Sequence, residues 1–377
     1  MRINLVALCY RGSYFYRQYG PAIRDLQIAL TLSKIEDVSV TVLERPISIP
    51  ERALGKTYNS ALADDFDVAV HDYTSWDVFG PAFRRLWFER MLPTYLDQVL
   101  HSLRRDDSIN IFLDFMPVGA PNREALAGWF YWYDFIDNFT KHNRFNKFEQ
   151  QAAFRKYQLV KRYADRLTFV TEDCRRSVDP SSESVGRAIV LTNKVFTNSS
   201  ATIDRKPLEN STQLFDFGFI GFVTDKIDVQ VIMDLAEDYT VAIYGDFFDN
   251  RVRQKLRRTA NVTLFGGFHY SALPHICATF RVGLLPYLKE RSHDGSPLKL
   301  YEYLRYRRPV ITSMDYELTS AEFILNYKKN GLNSGALQRL LDLAGNERLD
   351  SLLKGEDYFE APLRRIIDGI VEEITQK

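Results

Sequence analysis

The chain has 377 residues, of which 45% are hydrophobic, with 49 basic and 49 acidic side chains. At about 150 residues per domain, this length predicts two domains, each with enough apolar residues for a core. The zero net charge speaks against a bulk nucleic-acid binder, which carries a basic excess. Cys9, Cys174 and Cys277 have neither zinc nor disulfide-framework spacing and suit a reducing compartment.

The opening MRINLVALCYRGSYF has an apolar run too short for a membrane span and no small-residue cleavage site. It reads as a first buried strand, and a cytoplasmic protein is expected. No run of about 18 apolar residues follows anywhere. INLVALCY (3–10), VSVTVLE (38–44), DVAVHDY (67–73), INIFLDF (109–115), RLTFVT (166–171) and AIVLTN (188–193) read as strands. Helices are expected at 22–33, at 81–103 with a kink at Pro93, and at 147–164. The Ser/Thr/Asn-rich stretch 197–213 reads as a linker. Beyond it, strands at 215–222, 240–246, 261–267, 281–287 and 308–313 alternate with helices such as 228–238. This alternation predicts two Rossmann-like α/β domains, 1–196 and 214–355, facing across a cleft. The amphipathic tail 356–377 is expected to return to the first domain. Ligands in such sheets bind beyond the carboxyl ends of the strands.

DGSPLKLYEYLRYRRPVITS (294–313) is the most informative stretch. Ser296 can cap a helix and Pro297 can sit in its first turn. Lys299 adds positive charge to a helix end that already favours phosphate. Glu302, expected to point outward on the same face, can accept hydrogen bonds from a diol such as ribose. An ordinary surface helix has the same spacing. In WFYWYDFIDNF (129–139), Asp134 and Asp137 are spaced to share a helical face amid aromatic residues. Apolar surroundings raise a carboxylate's proton affinity and suit a general base; a buried aromatic helix with acids at its edge reads equally. Gly12, after the first strand, lets the backbone approach a donor phosphate near Arg11 or Arg17, unless the loop is an ordinary one. FGPAFRRLWFERM (79–91) mixes basic and aromatic residues as a membrane-touching patch or a core-facing helix would. DDFD (64–67) reads as a loop, and no HExxH, Walker loop, GxGxxG or serine elbow is present.

The SPLKLYEYL segment resembles the donor-site helix of GT-B glycosyltransferases, roughly S-P-x-K-x-x-E-[YAM] followed by a strand P-V-[VI]. Asp294 and Glu302 match the spacing of the two acids that many retaining members carry, with Asp replacing the usual first Glu. The resemblance implies phosphate binding by Lys299 and ribose binding by Glu302. FGFIGFVTDKIDVQVIMDLAE looks like the family's opening strand, glycine turn and helix, which implies Gly221 and Lys226 at the diphosphate. GGFHYSALPHICATFRVGLLPY resembles its G-x-x-x-Y-x-x-L-P loop, which places the backbone near Phe268 and His269 at the nucleobase. LTNKVF (191–196) stands where members carry P-N-G-V-D-x-x-F, without the Pro, Gly and Asp. The 129–139 run is similar to the Y-x-x-x-D-[DN] stretch of some polysaccharide-assembly transferases, including the xanthan glucuronosyltransferase family, which implies Asp137 as base. Together these imply metal-independent transfer from a UDP- or GDP-sugar, with no cofactor, to a saccharide or lipid-linked saccharide of a surface glycan. Contact with the inner face of the plasma membrane is part of that expectation; nucleic acid is not. An epimerase of the same two-domain type, or a degenerate glycan- or partner-binding module, are the competing readings.

Overall fold

The computed structural model describes residues 2–56, 58, 60–197, 214–291 and 295–376. Apart from Thr197, the expected linker lies outside the described residues, as does Asp294. The chain forms two compact units: Met1–Thr192 with His293–Gly295 and Phe359–Lys377, and Asn193–Ser292 with Ser296–Tyr358.

The first unit is built on strands β1 (Ile3–Leu8), β2 (Val38–Leu43), β3 (Ala69–His71), β4 (Ile109–Asp114), β5 (Phe130–Phe135), β6 (Arg166–Phe169) and β7 (Ala188–Val190). They pair in the order β3-β2-β1-β4-β5-β6-β7, every pair parallel. The second unit has β8 (Phe215–Ile220), β9 (Val241–Tyr244), β10 (Val262–Gly266), β11 (Phe280–Leu285), β12 (Val310–Thr312) and β13 (Ile324–Asn326). Their order is β10-β9-β8-β11-β12-β13, again parallel throughout. The winding reverses at β1/β4 and at β8/β11, and the crevice beyond the carboxyl ends at such a reversal is the ligand-binding place of the doubly wound fold. All residues of β1, β4 and β5 are buried. Strands covered on both faces by helices need such continuous apolar runs.

The run 129–139 departs from the helical expectation. It contributes β5, paired with β4 and β6. Aromatic side chains favour the pleated, covered surface, and Phe130, Tyr131, Trp132, Tyr133 and Phe135 fill both faces of the sheet. Asp134 and Asp137 therefore share no helical face. The 81–103 segment breaks earlier than expected. Arg84 has φ +52°, a short turn of helix ends at Phe83, and a second helix runs Leu86–Leu103 with Pro93 inside it. The DDFD stretch is not wholly loop, because Asp64 and Asp65 end the short helix Ala61–Asp65. The strand Ile324–Asn326 had no counterpart in the sequence reading.

In the first unit the C-terminal helix Glu360–Thr375 lies by the Arg24–Leu32 helix, and Arg166 pairs with its Glu373 at 3.0 Å. Among the described residues, no helix is long and apolar enough to cross a membrane.

Candidate functional site

The reversal at β8/β11 is shaped by glycine. Paired register between the two strands ends at Gly283 opposite Gly218. A Cβ on Gly218 would strike the Phe280 ring at 2.2 Å, and one on Gly283 would strike the Tyr303 ring at 2.4 Å. The Leu298–Arg305 helix thus lies hard against β11. Its Tyr303 hydroxyl accepts from Ile220 N at 2.9 Å and donates to Leu284 O at 3.3 Å. One phenol therefore holds the two diverging strand ends.

Gly221 follows β8 with φ +103°, a conformation that L side chains rarely adopt. A Cβ there would also lie 2.2 Å from Lys299 Cε and 2.8 Å from its Nζ. The glycine turn and the lysine are complementary surfaces. Lys299 Nζ donates to Tyr287 Oη at 2.8 Å and sits 5.3 Å from the Phe219 ring centroid. The Gly221 N–H is already taken by the Tyr244 carbonyl at 2.7 Å, so the charge of Lys299, and not that amide, is what makes this a place for an anion. The Lys226 carbonyl accepts from Leu288 N at 2.7 Å, which fastens the β8 loop to the β11 loop that carries Tyr287. Arg291 adds a 2.8 Å ion pair to Asp225. Gly221, Lys226 and Lys299 are thereby gathered at one end of the sheet.

Glu302 is only 3% exposed, against the expectation that it points outward. Leu300, Tyr301, Tyr303 and Leu304 are buried as well, so the helix is enclosed nearly all round and presents no outer face there. Tyr270, from the loop that holds Phe268 and His269, donates a short hydrogen bond to Glu302 Oε1. Oε2 is buried without a partner. Burial raises the Glu302 carboxyl above its ordinary value, opposed by the Arg305 charge and the Tyr270 hydrogen bond. Arg305 is itself held by the Phe196 carbonyl at 2.6 Å. His269 Nδ1 and Ser271 Oγ lie 2.8 Å apart, and Phe268 and His269 are half-buried.

The expected cap is not formed by Ser296. The helix begins at Leu298, Pro297 occupies the cap position, and no side chain caps it. Ser296 offers its carbonyl to Asn193 Nδ2 at 2.5 Å, while its Oγ is buried and unpartnered.

In the first unit, Gly12 has a different neighbour from the one expected. A Cβ there would fall 1.8 Å from Glu44 Oε2, and Ser13 N donates to Glu44 Oε1 at 2.6 Å. A protein carboxylate thus takes the backbone donor that a phosphate would use. Arg11 N donates to the buried Asp25 at 3.0 Å, and Arg17 is exposed. Asp134 is enclosed by Arg24, with two contacts at 2.9 Å, and by Thr168 Oγ1 at 2.6 Å. That is a buried structural ion pair. Asp137 lies past the carboxyl end of β5, half-buried, with Asn138 N on its Oδ1 at 2.9 Å.

Tyr270 and Tyr287 also contact the expected site residues, through Glu302 and Lys299 respectively. Tyr270 is the tyrosine of the G-x-x-x-Y-x-x-L-P pattern and was legible there. Tyr287 carries no comparable signal, since in the sequence it only ends an apolar strand run.

No protein-family model and no curated protein sequence matches the chain. Solved structures do. HepE from Anabaena, in complex with UDP and glucose, is similar with a TM-score of 0.61 at 12% identity, over 98% of this chain and 100% of that one. AviGT4, a glycosyltransferase involved in avilamycin A biosynthesis, gives 0.55 at 12% identity, over 98% and 96%. A UDP-N-acetylglucosamine 2-epimerase gives 0.51 at 11% identity, over 100% and 98%. Two parallel sheets wound in the same order, and a likeness that spans the whole chain, establish the α/β architecture of two Rossmann-like domains, the GT-B fold.

Proposed function

We propose that the chain is a glycosyltransferase that moves a hexosyl group from a UDP- or GDP-sugar to a hydroxyl of a saccharide or lipid-linked saccharide in surface-glycan assembly. The observation that carries this reading is the fit of Lys299 to Gly221, a cation over a cleared backbone turn at the β8/β11 reversal. The bond from the anomeric carbon to the diphosphate oxygen breaks as the bond to the acceptor oxygen forms. Lys299 and Lys226 neutralise the departing diphosphate, which supplies electrostatic stabilisation without calling for a divalent ion. Glu302, buried under Tyr270 with Oε2 unpartnered, accepts a ribose hydroxyl when Tyr270 gives way to the donor. Phe268 and His269 flank the base. Asp137 takes the acceptor proton if the anomeric configuration inverts, and positions the acceptor if it is retained. UDP in the HepE structure supports the donor class.

The likeness to an epimerase favours one second reading, in which the same donor is bound and its sugar is epimerised. Membrane contact is supported by the segment before the Leu86–Leu103 helix. Trp76 is 81% exposed with the Arg52 guanidinium 5.7 Å from its ring centroid, and Val78, Phe79 and Phe83 are exposed nearby in sequence. Aromatic and arginine side chains together suit the headgroup layer on the cytoplasmic face.

The donor site is tested by thermal shift. UDP or GDP should raise the melting temperature, because a ligand of the folded state alone stabilises it. Lys299→Ala should remove most of the shift. Glu302→Gln should weaken affinity by about ten- to a hundredfold, the worth of a charge-assisted hydrogen bond. No shift with any nucleoside diphosphate, or shifts indifferent to both variants, would refute the site.

A further inference from the structure

The second unit carries a concentration of charge that the donor site does not use. The helix Asn250–Arg257 and its cap hold Arg251, Arg253, Lys255, Arg257 and Arg258, in a chain whose basic and acidic residues balance at 49 each. Arg251 pairs with Asp249 at 3.5 Å. Arg253, Lys255, Arg257 and Arg258 have no ion-pair partner among the described residues, and all are exposed. Arg251/Lys255 and Arg253/Arg257 stand one turn apart, a spacing at which like charges weaken a helix. The helix dipole accounts for cations in the last turn. It opposes Arg253, whereas Arg251 is offset by the Asp249 carboxylate at the cap.

Met233, Arg251, Gln254, Lys255, Arg258 and Thr259 line an open groove of ≈ 440 Å³. The three cations recur at one-turn spacing, about 10 Å from first to last along the axis. The Gln254 amide stands between the first two cations, while the Thr259 hydroxyl already donates to the Lys255 carbonyl at 3.0 Å. We propose that this groove is a second anion site, distinct from the Lys299 turn, which takes a phosphate-bearing ligand of two or more negative charges. A surface that merely aids solubility needs no groove and no hydrogen-bond donors between its charges. A diphosphate needs both, since its oxygens accept from cations and neutral donors together. The diphosphate can belong to a soluble molecule or to a lipid headgroup.

The full chain should be titrated calorimetrically with inorganic pyrophosphate, then mixed with phosphatidylcholine vesicles made anionic by a lipid with a diphosphate headgroup and with neutral vesicles of phosphatidylcholine alone. Pyrophosphate binding should persist in Lys299→Ala and fall by about tenfold or more when Arg251→Gln, Lys255→Gln and Arg258→Gln are added to that variant, as loss of charge-assisted bonds requires. Sedimentation with anionic but not neutral vesicles, lost in the combined variant, identifies the headgroup as the source. Pyrophosphate binding with no vesicle binding identifies a soluble one. An isotherm unchanged by the three added substitutions overturns the proposal, and so does equal binding of sulfate and pyrophosphate. Because Lys299→Ala removes only the donor turn, failure of the donor reading and failure of this one are separately visible.

Discussion

Asp25 and Glu44 are carboxylates that folding takes out of water. Burial pushes Asp25 up from 3.8 to about 6, against the Arg11 backbone hydrogen bond, and raises Glu44 in the same direction. The folded chain therefore keeps a proton on Asp25 that the unfolded chain has lost between roughly pH 4 and 6. Stability from this group is complete below the unfolded value and is lost as pH rises through about 6, by on the order of 3 kcal/mol. Asp25→Asn should flatten the fall in melting temperature between about pH 4 and 7, leaving the part due to Glu44. A slope identical to wild type contradicts the assignment. At this scale the sequence was legible in part. The lysine and the glycine of the donor turn each stood out by type, but their contact joins residues far apart in the chain. Which way Glu302 faced was not legible either. Spacing says which residues share a helix face and says nothing about what covers it, and Tyr270 covers Glu302.

Most elements follow from apolar periodicity, and the misread one shows where that signal stops. WFYWYDFIDNF is apolar at nearly every position, so a period of two and a period of 3.6 fit it equally. The neighbours β4 and β6 decide for strand. The break at Arg84 was hidden for a related reason. Pro93 is the strongest local breaker, yet the Leu86–Leu103 helix accommodates it. The strand assignment separates the two acids of that run into different roles. Asp134→Ala should remove the buried carboxylate that takes two contacts from Arg24 and cost about 3–5 kcal/mol, read as a lowered denaturation midpoint. Asp137→Asn should leave the midpoint nearly unchanged and, if Asp137 is the base, cut turnover by about 10²–10⁴. Equal loss of stability in both variants would contradict the division. Full turnover in Asp137→Asn, with a product of inverted configuration, would remove it as base.

At the level of the whole chain, βα alternation was enough to read two parallel-sheet domains. Strand order was not readable, because it is set by pairings such as β1 with β4 that span more than a hundred residues. That order matters for function, since it places the reversals at β1/β4 and β8/β11 and with them the crevices where ligands enter. The two crevices differ in chemistry. The first has its glycine turn filled by the Glu44 carboxylate, whereas the second presents Lys299 across Gly221. An anionic donor should therefore bind the second unit. A fold shared by transferases and an epimerase leaves the fate of the sugar to experiment. The most direct measurement incubates the purified chain with UDP- and GDP-sugars and a panel of saccharide acceptors, and follows both the nucleotide and the sugar by mass spectrometry and NMR. The account predicts release of nucleoside diphosphate that depends on acceptor, with a new glycosidic bond in the product and loss of both in Lys299→Ala. Epimerised donor without acceptor-linked product, or transfer undiminished in Lys299→Ala, would contradict it.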